Sequence, residues 1–165
     1  MFQIISTIVI ALLVVIDRVS KILVVNNLKG NGPKPFIPGV MTFEYVENTG
    51  AAFSAFSDDT VVLTVFTVLV IILCLIVLYT RKVKSKIGIV SMVLIISGGI
   101  GNVIDRIKDG FVVDFFAPDP KFHFAVFNVA DIFITVGAFL LIGYEIYELV
   151  MEKKNAKAEK ENKDD

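Results

Sequence analysis

The residues best placed to do chemistry in this chain are carboxylates that follow apolar residues. Asp114 ends the run VVD and Asp131 ends the run VAD. Two carboxylates held close together cannot both ionise easily, so one keeps a proton. The pair then offers a base to activate water and an acid to protonate a leaving group. The alternative is purely structural: Asp131 caps a helix and Asp114 ends a strand.

Other catalytic chemistries have little support in the sequence. The one cysteine, Cys74, lies in a long apolar run with no base nearby. A serine–lysine pair would need Ser20 and Lys21, which are adjacent and point in different directions on a helix. The one histidine, His123, lies in a loop segment, and no His or Cys cluster has the spacing of metal ligands. We therefore expect no metal and no cofactor.

These residues belong to a chain with the composition of a polytopic membrane protein. Of its 165 residues 55% are hydrophobic, the mean hydropathy is +0.76 and the net charge is −1. A soluble domain of this size is less apolar, and the near-neutral charge gives no basis for a nucleic-acid partner. We predict a single integral membrane catalytic domain over residues 1–150, followed by a disordered, charged tail over residues 151–165.

Four apolar segments are long enough to cross the ~30 Å core of a bilayer as helices. They cover residues 4–25, 61–79, 87–106 and 127–150. The first is interpreted as a retained helix, because no basic segment precedes it and charged residues stand where a cleavage site would be. Basic residues are concentrated in the loop RKVKSK at 81–86 and in the tail. The positive-inside rule therefore places this loop and both termini in the cytoplasm.

The two remaining connections would then face the outside. Residues 36–56 and 110–117 are rich in β-branched and aromatic residues and are flanked by turn formers, as is typical of strands. We predict that they form a small extracytoplasmic β-cradle. The expected fold class is thus an all-α membrane protein with four transmembrane helices and a small β element. The loop 115–125, with Pro118 and Pro120, is a candidate clamp that moves when substrate binds.

In this topology the polar residues of the membrane segments converge near the outer interface. Asp17 and Lys21 have the i,i+4 spacing of a same-face ion pair, and Asn102 and Arg106 have the same spacing on helix three. The other members of this layer are Asn48, Asp105, Asp114, Asn128 and Asp131. Ionisable residues inside a membrane commonly mark a site. A single layer suits a reaction at the interface better than a proton-coupled transporter, while a non-catalytic membrane adaptor remains an alternative.

Five motifs make the chain resemble the bacterial lipoprotein signal peptidases (signal peptidase II), a family of intramembrane aspartic proteases. They are Asp17-Arg18-Val19-Ser20-Lys21, Asn48-Thr49-Gly50-Ala51-Ala52-Phe53, GGIGNVIDR at 98–106, GFVVDF at 110–115 and FNVAD at 127–131. Each motif is weak alone, but five in the family's order are specific. One departure is Glu47, where many members of the family carry arginine.

The resemblance implies an activity and a set of functional residues. These enzymes lie in the bacterial cytoplasmic membrane and remove the signal peptide from diacylglyceryl-modified prolipoproteins, cleaving just before the lipidated lipobox cysteine. By motif position, Asp114 and Asp131 would be the catalytic dyad. The residues implied to bind substrate or support the dyad are Asn48, Gly50, Asn102, Arg106, Asn128, Asp17, Lys21 and Asp105. The implied partners are these substrates, membrane lipid and the cyclic peptide inhibitor globomycin, and we expect a monomer.

Overall fold

The computed structural model describes residues 2–50, 60–83 and 85–164, with the backbone alone for residue 2 and residues 157–164. Its helices are α1 Phe2–Leu28, α2 Thr60–Tyr79, α3 Lys86–Asp109 and α4 Val129–Asp164. Its strands are β1 Lys34–Ile37, β2 Met41–Asn48 and β3 Val112–Pro118. Predictions for Ala51-Ala52-Phe53, for the end of the β segment at 51–56 and for Lys84 lie outside the described residues.

Three helices of the described chain are long and apolar enough to cross a membrane. They are Thr60–Tyr79, Lys86–Asp109 and Val129–Ala156. Large apolar side chains on α2, such as Phe66 and Leu69, point away from the protein and are exposed. A continuous apolar surface of this kind is stable in lipid rather than in water. The mostly helical, membrane-embedded architecture with a small sheet is therefore confirmed.

Helix α3 lies at the centre of the helical bundle and packs against the other three helices. Its inner face buries Met92, Val93 and Ile96 against apolar residues of α1 and α2. Small residues allow close packing further along: a Cβ at Gly98 would collide with a backbone oxygen of α4, and one at Gly101 would collide with a carboxylate of α1. Glycine therefore sets the helix spacing at the level of the polar residues.

The three strands form an antiparallel sheet in the order β1-β2-β3. The register of β2 and β3 places Val46 opposite Asp114 and Asn48 opposite Val112. A shift in register between Phe43 and Val46 marks a bulge in this pair. The sheet therefore brings Asn48 and Asp114 together, and their side chains form a hydrogen bond.

Two segments differ from the sequence-based expectation. Helix α4 continues through the predicted tail to Asp164. The tail is rich in Ala, Glu and Lys, which are strong helix formers, and extending an existing helix needs no new nucleus. Part of the segment 115–125, which was expected to be a loop, has regular secondary structure. Strand β3 extends to Pro118, and one turn of 3₁₀ helix covers Pro120–Phe122.

Candidate active site

Asp114 and Asp131 line the same cavity, whose volume is about 450 Å³. Asp131 lies in the first turn of α4, three residues after Asn128. The Asn128 side-chain oxygen accepts a hydrogen bond from the Asp131 backbone N–H at 3.0 Å, and the Asp131 carboxylate accepts one from the Asn128 N–H at 3.0 Å. This reciprocal cap satisfies free N–H groups at the helix start and fixes the Asp131 carboxylate.

Asp114 is held on β3 by two amide groups. Its Oδ2 accepts a hydrogen bond from Asn48 Nδ2 at 2.7 Å, and its Oδ1 accepts one from Asn128 Nδ2 at 2.6 Å. The carboxyl is almost fully buried. Burial, with the nearby charge of Asp131, raises the pKa of Asp114 to about 6 despite the two amide donors. Asp114 therefore keeps a proton at a pH where an exposed aspartate has lost it.

Asn102 connects the dyad to a buried group of charges. Its Nδ2 donates to Asp131 Oδ1 at 2.8 Å, while its Oδ1 accepts from Lys21 Nζ at 3.0 Å and from Asn128 Nδ2 at 3.2 Å. Sequence spacing placed Asn102 on a face with Arg106 but gave no indication of the contact with Lys21. That contact joins α1 to α3 and depends on how the helices pack.

Behind Asn102 lies a buried cluster of two acids and two bases, which we call the charge cluster: Asp17, Arg18, Lys21 and Asp105. Lys21 Nζ lies 3.0 Å from Asp17 Oδ2 and 2.8 Å from Asp105 Oδ2, and Arg18 pairs with Asp105. The predicted i,i+4 ion pair is therefore present. Sequence reasoning gave Arg18 no separate role, although a positive charge within an apolar helix was a signal. The cluster is neutral overall, as burial requires.

The charge cluster also contacts the backbone next to the dyad. Asp17 Oδ1 accepts a hydrogen bond from the Ala130 N–H at 3.0 Å. Asp105 Oδ2 lies 3.4 Å from the Val113 backbone nitrogen, one residue before Asp114. The cluster thus holds both segments that carry the catalytic candidates, α4 and β3.

Arg106 and Gly50 lie on another wall of the cavity. Arg106 Nη2 is 3.4 Å from the Gly50 carbonyl oxygen, and the Gly50 N–H donates to Asn48 Oδ1 at 2.9 Å. Among the described residues, the buried Arg106 Nε has no hydrogen-bond partner. Because Arg106 lines the cavity, its guanidinium can donate to a carbonyl oxygen of a ligand there.

The remaining walls of the cavity are mostly apolar, and the sequence did not single them out. They come from Val112, from Phe124, Ala125, Val126 and Phe127, and from Ile132, Ile134, Thr135 and Val136 of α4. Ile132 and Val136 are 38% and 44% exposed, so this wall reaches the apolar surface of the helix. The i,i+4 spacing of Ile132 and Val136 puts both on one face of α4 and could have indicated this wall from the sequence. The cavity can therefore hold an apolar chain that enters from the side.

The donors around the aspartates suit acid–base chemistry. Over residues 2–50, 60–83 and 85–164, no three His, Cys, Asp or Glu side chains are grouped as metal ligands. Each carboxylate instead accepts hydrogen bonds from N–H groups at both of its oxygens. The ten residues that the sequence predicted lie together. Six line the cavity and three belong to the charge cluster, while Asn128 hydrogen-bonds to both aspartates from the start of α4.

Comparison with known proteins identifies relatives over most of the chain. Residues 9–147 match the family model described as signal peptidase (SPase) II. The lipoprotein signal peptidase of Clostridium tetani is 41% identical over 143 residues, which are 86% of this chain and 92% of that protein. The lipoprotein signal peptidase of Streptococcus pyogenes serotype M2 is 43% identical over 131 residues, which are 79% of this chain and 86% of that protein.

Two solved structures are also similar to this chain over most of its length. One structure described as a bacterial membrane enzyme has a TM-score of 0.80 at 26% identity, over 87% of this chain and 88% of that chain. A second has a TM-score of 0.74 at 27% identity, over 83% and 89% respectively. These relatives are named as peptidases or enzymes, so they give no support to the transporter or adaptor alternatives.

Proposed function

The chain belongs to the signal peptidase II family, and we propose that it removes signal peptides from lipoprotein precursors as an aspartic endopeptidase. The observation that carries the catalytic type is the pair Asp114 and Asp131 in one cavity, each held by N–H donors. The substrate class is the diacylglyceryl-modified prolipoprotein, cleaved just before the lipidated lipobox cysteine. A cavity with two carboxylates and an apolar side wall fits such a substrate.

In the proposed reaction Asp131 is the base and Asp114 is the acid. The N-terminus of α4 and the Asn128 N–H favour negative charge on Asp131, which removes a proton from the attacking water. The oxygen of that water adds to the scissile carbonyl carbon. Asp114, whose pKa is raised to about 6, donates its proton to the amide nitrogen. The C–N bond then breaks as the carbonyl double bond, opened by the addition, forms again. The proton taken by Asp131 passes to Asp114, which restores the pair for the next cycle.

The residues around the dyad position the substrate and the two carboxyls. Arg106, together with the Gly50 carbonyl, is placed to bind the substrate backbone. Asn48, Asn102 and Asn128 direct their amide groups at the dyad. Asp17, Lys21 and Asp105 support that arrangement from the charge cluster.

We further propose that α1 is a fourth membrane span, with both termini in the cytoplasm and the site near the outer face of the bacterial cytoplasmic membrane. The charges of α1 support this, since Asp17, Arg18 and Lys21 all pair within the protein rather than facing lipid. The acyl chains of the substrate would enter past Ile132 and Val136. Globomycin would compete for the same cavity, and one chain would suffice for activity.

Cleavage by the purified full-length protein tests the proposal. A diacylglyceryl-modified prolipoprotein is incubated in detergent with wild type, Asp114→Asn, Asp131→Asn and the control Asp109→Asn, whose carboxylate pairs with Lys108 away from the dyad. Wild type and the control should cleave before the lipidated cysteine, and globomycin should block them. Each dyad variant should lose at least ~10²-fold in rate while keeping its unfolding temperature. An inactive wild type, or a dyad variant with near-full activity, would show that the proposal is wrong.

A further inference from the structure

The orientation of the three asparagines that contact the dyad follows a common rule. An amide side chain has an accepting end and a donating end of similar shape, so its partners decide which way it faces. Asn48 Oδ1 accepts from the Gly50 N–H at 2.9 Å, and Asn128 Oδ1 accepts from the Asp131 N–H at 3.0 Å. Each amide oxygen therefore faces a group that can only donate, and each NH₂ group must face the carboxylates.

Asn102 follows the same rule with a different partner. Its oxygen faces the Lys21 ammonium at 3.0 Å, and its NH₂ group donates to Asp131 at 2.8 Å. The donors that orient the other two asparagines belong to the backbone, and substitution leaves them in place. The donor that orients Asn102 is a side chain, and its effect can be removed by mutation.

From this contact, and resting on the proposed dyad, we propose that Lys21 is a positioning residue of the peptidase. It holds Asn102 with the NH₂ group towards Asp131, and so keeps Asp131 in the ionised form that accepts the proton of water. Lys21 lies behind the part of the cavity wall that Asn102 forms, and its effect on the dyad passes through Asn102.

The environment of Lys21 explains why the Asn102 amide is fixed in this orientation. The side chain is 1% exposed. Its nitrogen forms ion pairs with Asp17 Oδ2 at 3.0 Å and Asp105 Oδ2 at 2.8 Å, and it donates a hydrogen bond to Asn102 Oδ1 at 3.0 Å. An ammonium has N–H donors and no acceptor, so Asn102 cannot turn its NH₂ group towards Lys21.

Without the Lys21 ammonium, the strongest interaction that holds the Asn102 NH₂ group towards Asp131 is lost. Asn128 Nδ2 also donates to the Asn102 oxygen, but at 3.2 Å and while it donates to Asp114 at 2.6 Å. A reversed Asn102 would place its oxygen against an oxygen of Asp131, and only a protonated carboxyl tolerates that contact. Asp131 would then hold a proton at a pH where it should act as the base.

The test must separate this effect from the loss of a buried charge. Lys21→Met alone would leave Asp17 and Asp105 facing one cation, Arg18. Asp17→Asn/Lys21→Met keeps the charge cluster neutral, because only the pair of Arg18 and Asp105 remains. Asp17→Asn alone is the reference for this double variant, since the amide oxygen that it introduces can still accept the Ala130 N–H.

The double variant is compared with its reference in the cleavage assay, as kcat and KM over a range of pH. We expect kcat to fall at least ~10-fold, KM to change less than about twofold, and the acid limb of kcat to move up by about one pH unit, the effect of one hydrogen bond to a charged group. Infrared spectra should show an additional protonated carboxyl near neutral pH. The ionisable groups packed around Asn102 are Lys21, Asp17, Asp105, Arg106, Asp114 and Asp131.

Asn102→Leu provides the second variant, because it leaves all four charges of the cluster in place. It should show the same shift of the acid limb, and adding it to the double variant should cost little more, since both changes remove one interaction. An acid limb of kcat that does not shift in Asn102→Leu would overturn the inference. Losses of kcat that add when Asn102→Leu is combined with the double variant would also overturn it. So would a double variant that differs from Asp17→Asn only in unfolding temperature. A wild type that does not cleave would instead overturn the proposed function.

Discussion

The hydrogen bond from Asn48 to Asp114 allows a quantitative prediction for the change Asn48→Leu. The amide donates at 2.7 Å to a carboxylate that is almost fully buried. This donor stabilises the ionised form of Asp114 and so lowers its pKa. A hydrogen bond to a charged group contributes about 1.5–3 kcal/mol, and about 1.36 kcal/mol corresponds to one pKa unit.

The lower end of that range applies here, because Asn128 still donates to the other oxygen of Asp114 and the cavity admits water. Removing Asn48 should therefore raise the pKa of Asp114 from about 6 by about one unit. If Asp114 is the acid, its proton then persists to higher pH. The alkaline limb of kcat/KM should move up by about one pH unit.

The assay is the pH dependence of cleavage of the diacylglyceryl-modified prolipoprotein by full-length protein in detergent. Thr42→Val is the matched control, because it removes a hydrogen bond between the same two strands, from Thr42 Oγ1 to the Ala117 carbonyl, without touching the dyad. The control should keep the alkaline limb of wild type. An unchanged limb in Asn48→Leu, or a shift to lower pH, would refute the assignment of Asp114 as the acid.

Two further predictions concern the fold. A Cβ at Gly98 would meet a backbone oxygen of α4, whereas nothing lies within 4 Å of the position at Gly143, so Gly98→Ala should lower the unfolding temperature in detergent and Gly143→Ala should not. An unfolding temperature unchanged in both would contradict the close packing. The proposed topology predicts that, in a cysteine-free background in whole cells, an impermeant thiol reagent labels Lys121→Cys but not Lys82→Cys. The reverse labelling pattern would show that the protein has the opposite orientation in the membrane.

Much of the fold follows from local properties of the sequence. Uncharged runs such as 61–79 have the length of a membrane span, and the observed helix Thr60–Tyr79 begins one residue earlier and ends at the same residue. The segments between turn formers became strands, although the hairpin strand Lys34–Ile37 and the end of β3 at Pro118 differ from the predicted bounds. Helix α4 also continues into the charged tail, whose Ala, Glu and Lys residues are strong helix formers.

The sequence also identified the residues of the candidate site, since the cost of polar groups in a membrane makes Asp114 and Asp131 conspicuous. The i,i+4 pair of Asp17 and Lys21 could be predicted as well, because both residues lie on one helix and only the helix repeat is needed. These features depend on residue type and on the spacing of residues that are only a few positions apart in the chain.

The pairing between elements was decided by the tertiary structure. Lys21 and Asn102 are 81 residues apart in the chain, and Asn48 and Asp114 are 66 apart. Such contacts depend on helix spacing, on the register of two strands and on which end of an amide faces each donor. None of these follows from periodicity, because each is set by the packing of several elements at once. The sequence by itself determined which polar groups are present at the site, and tertiary packing determined which of them bond to each other.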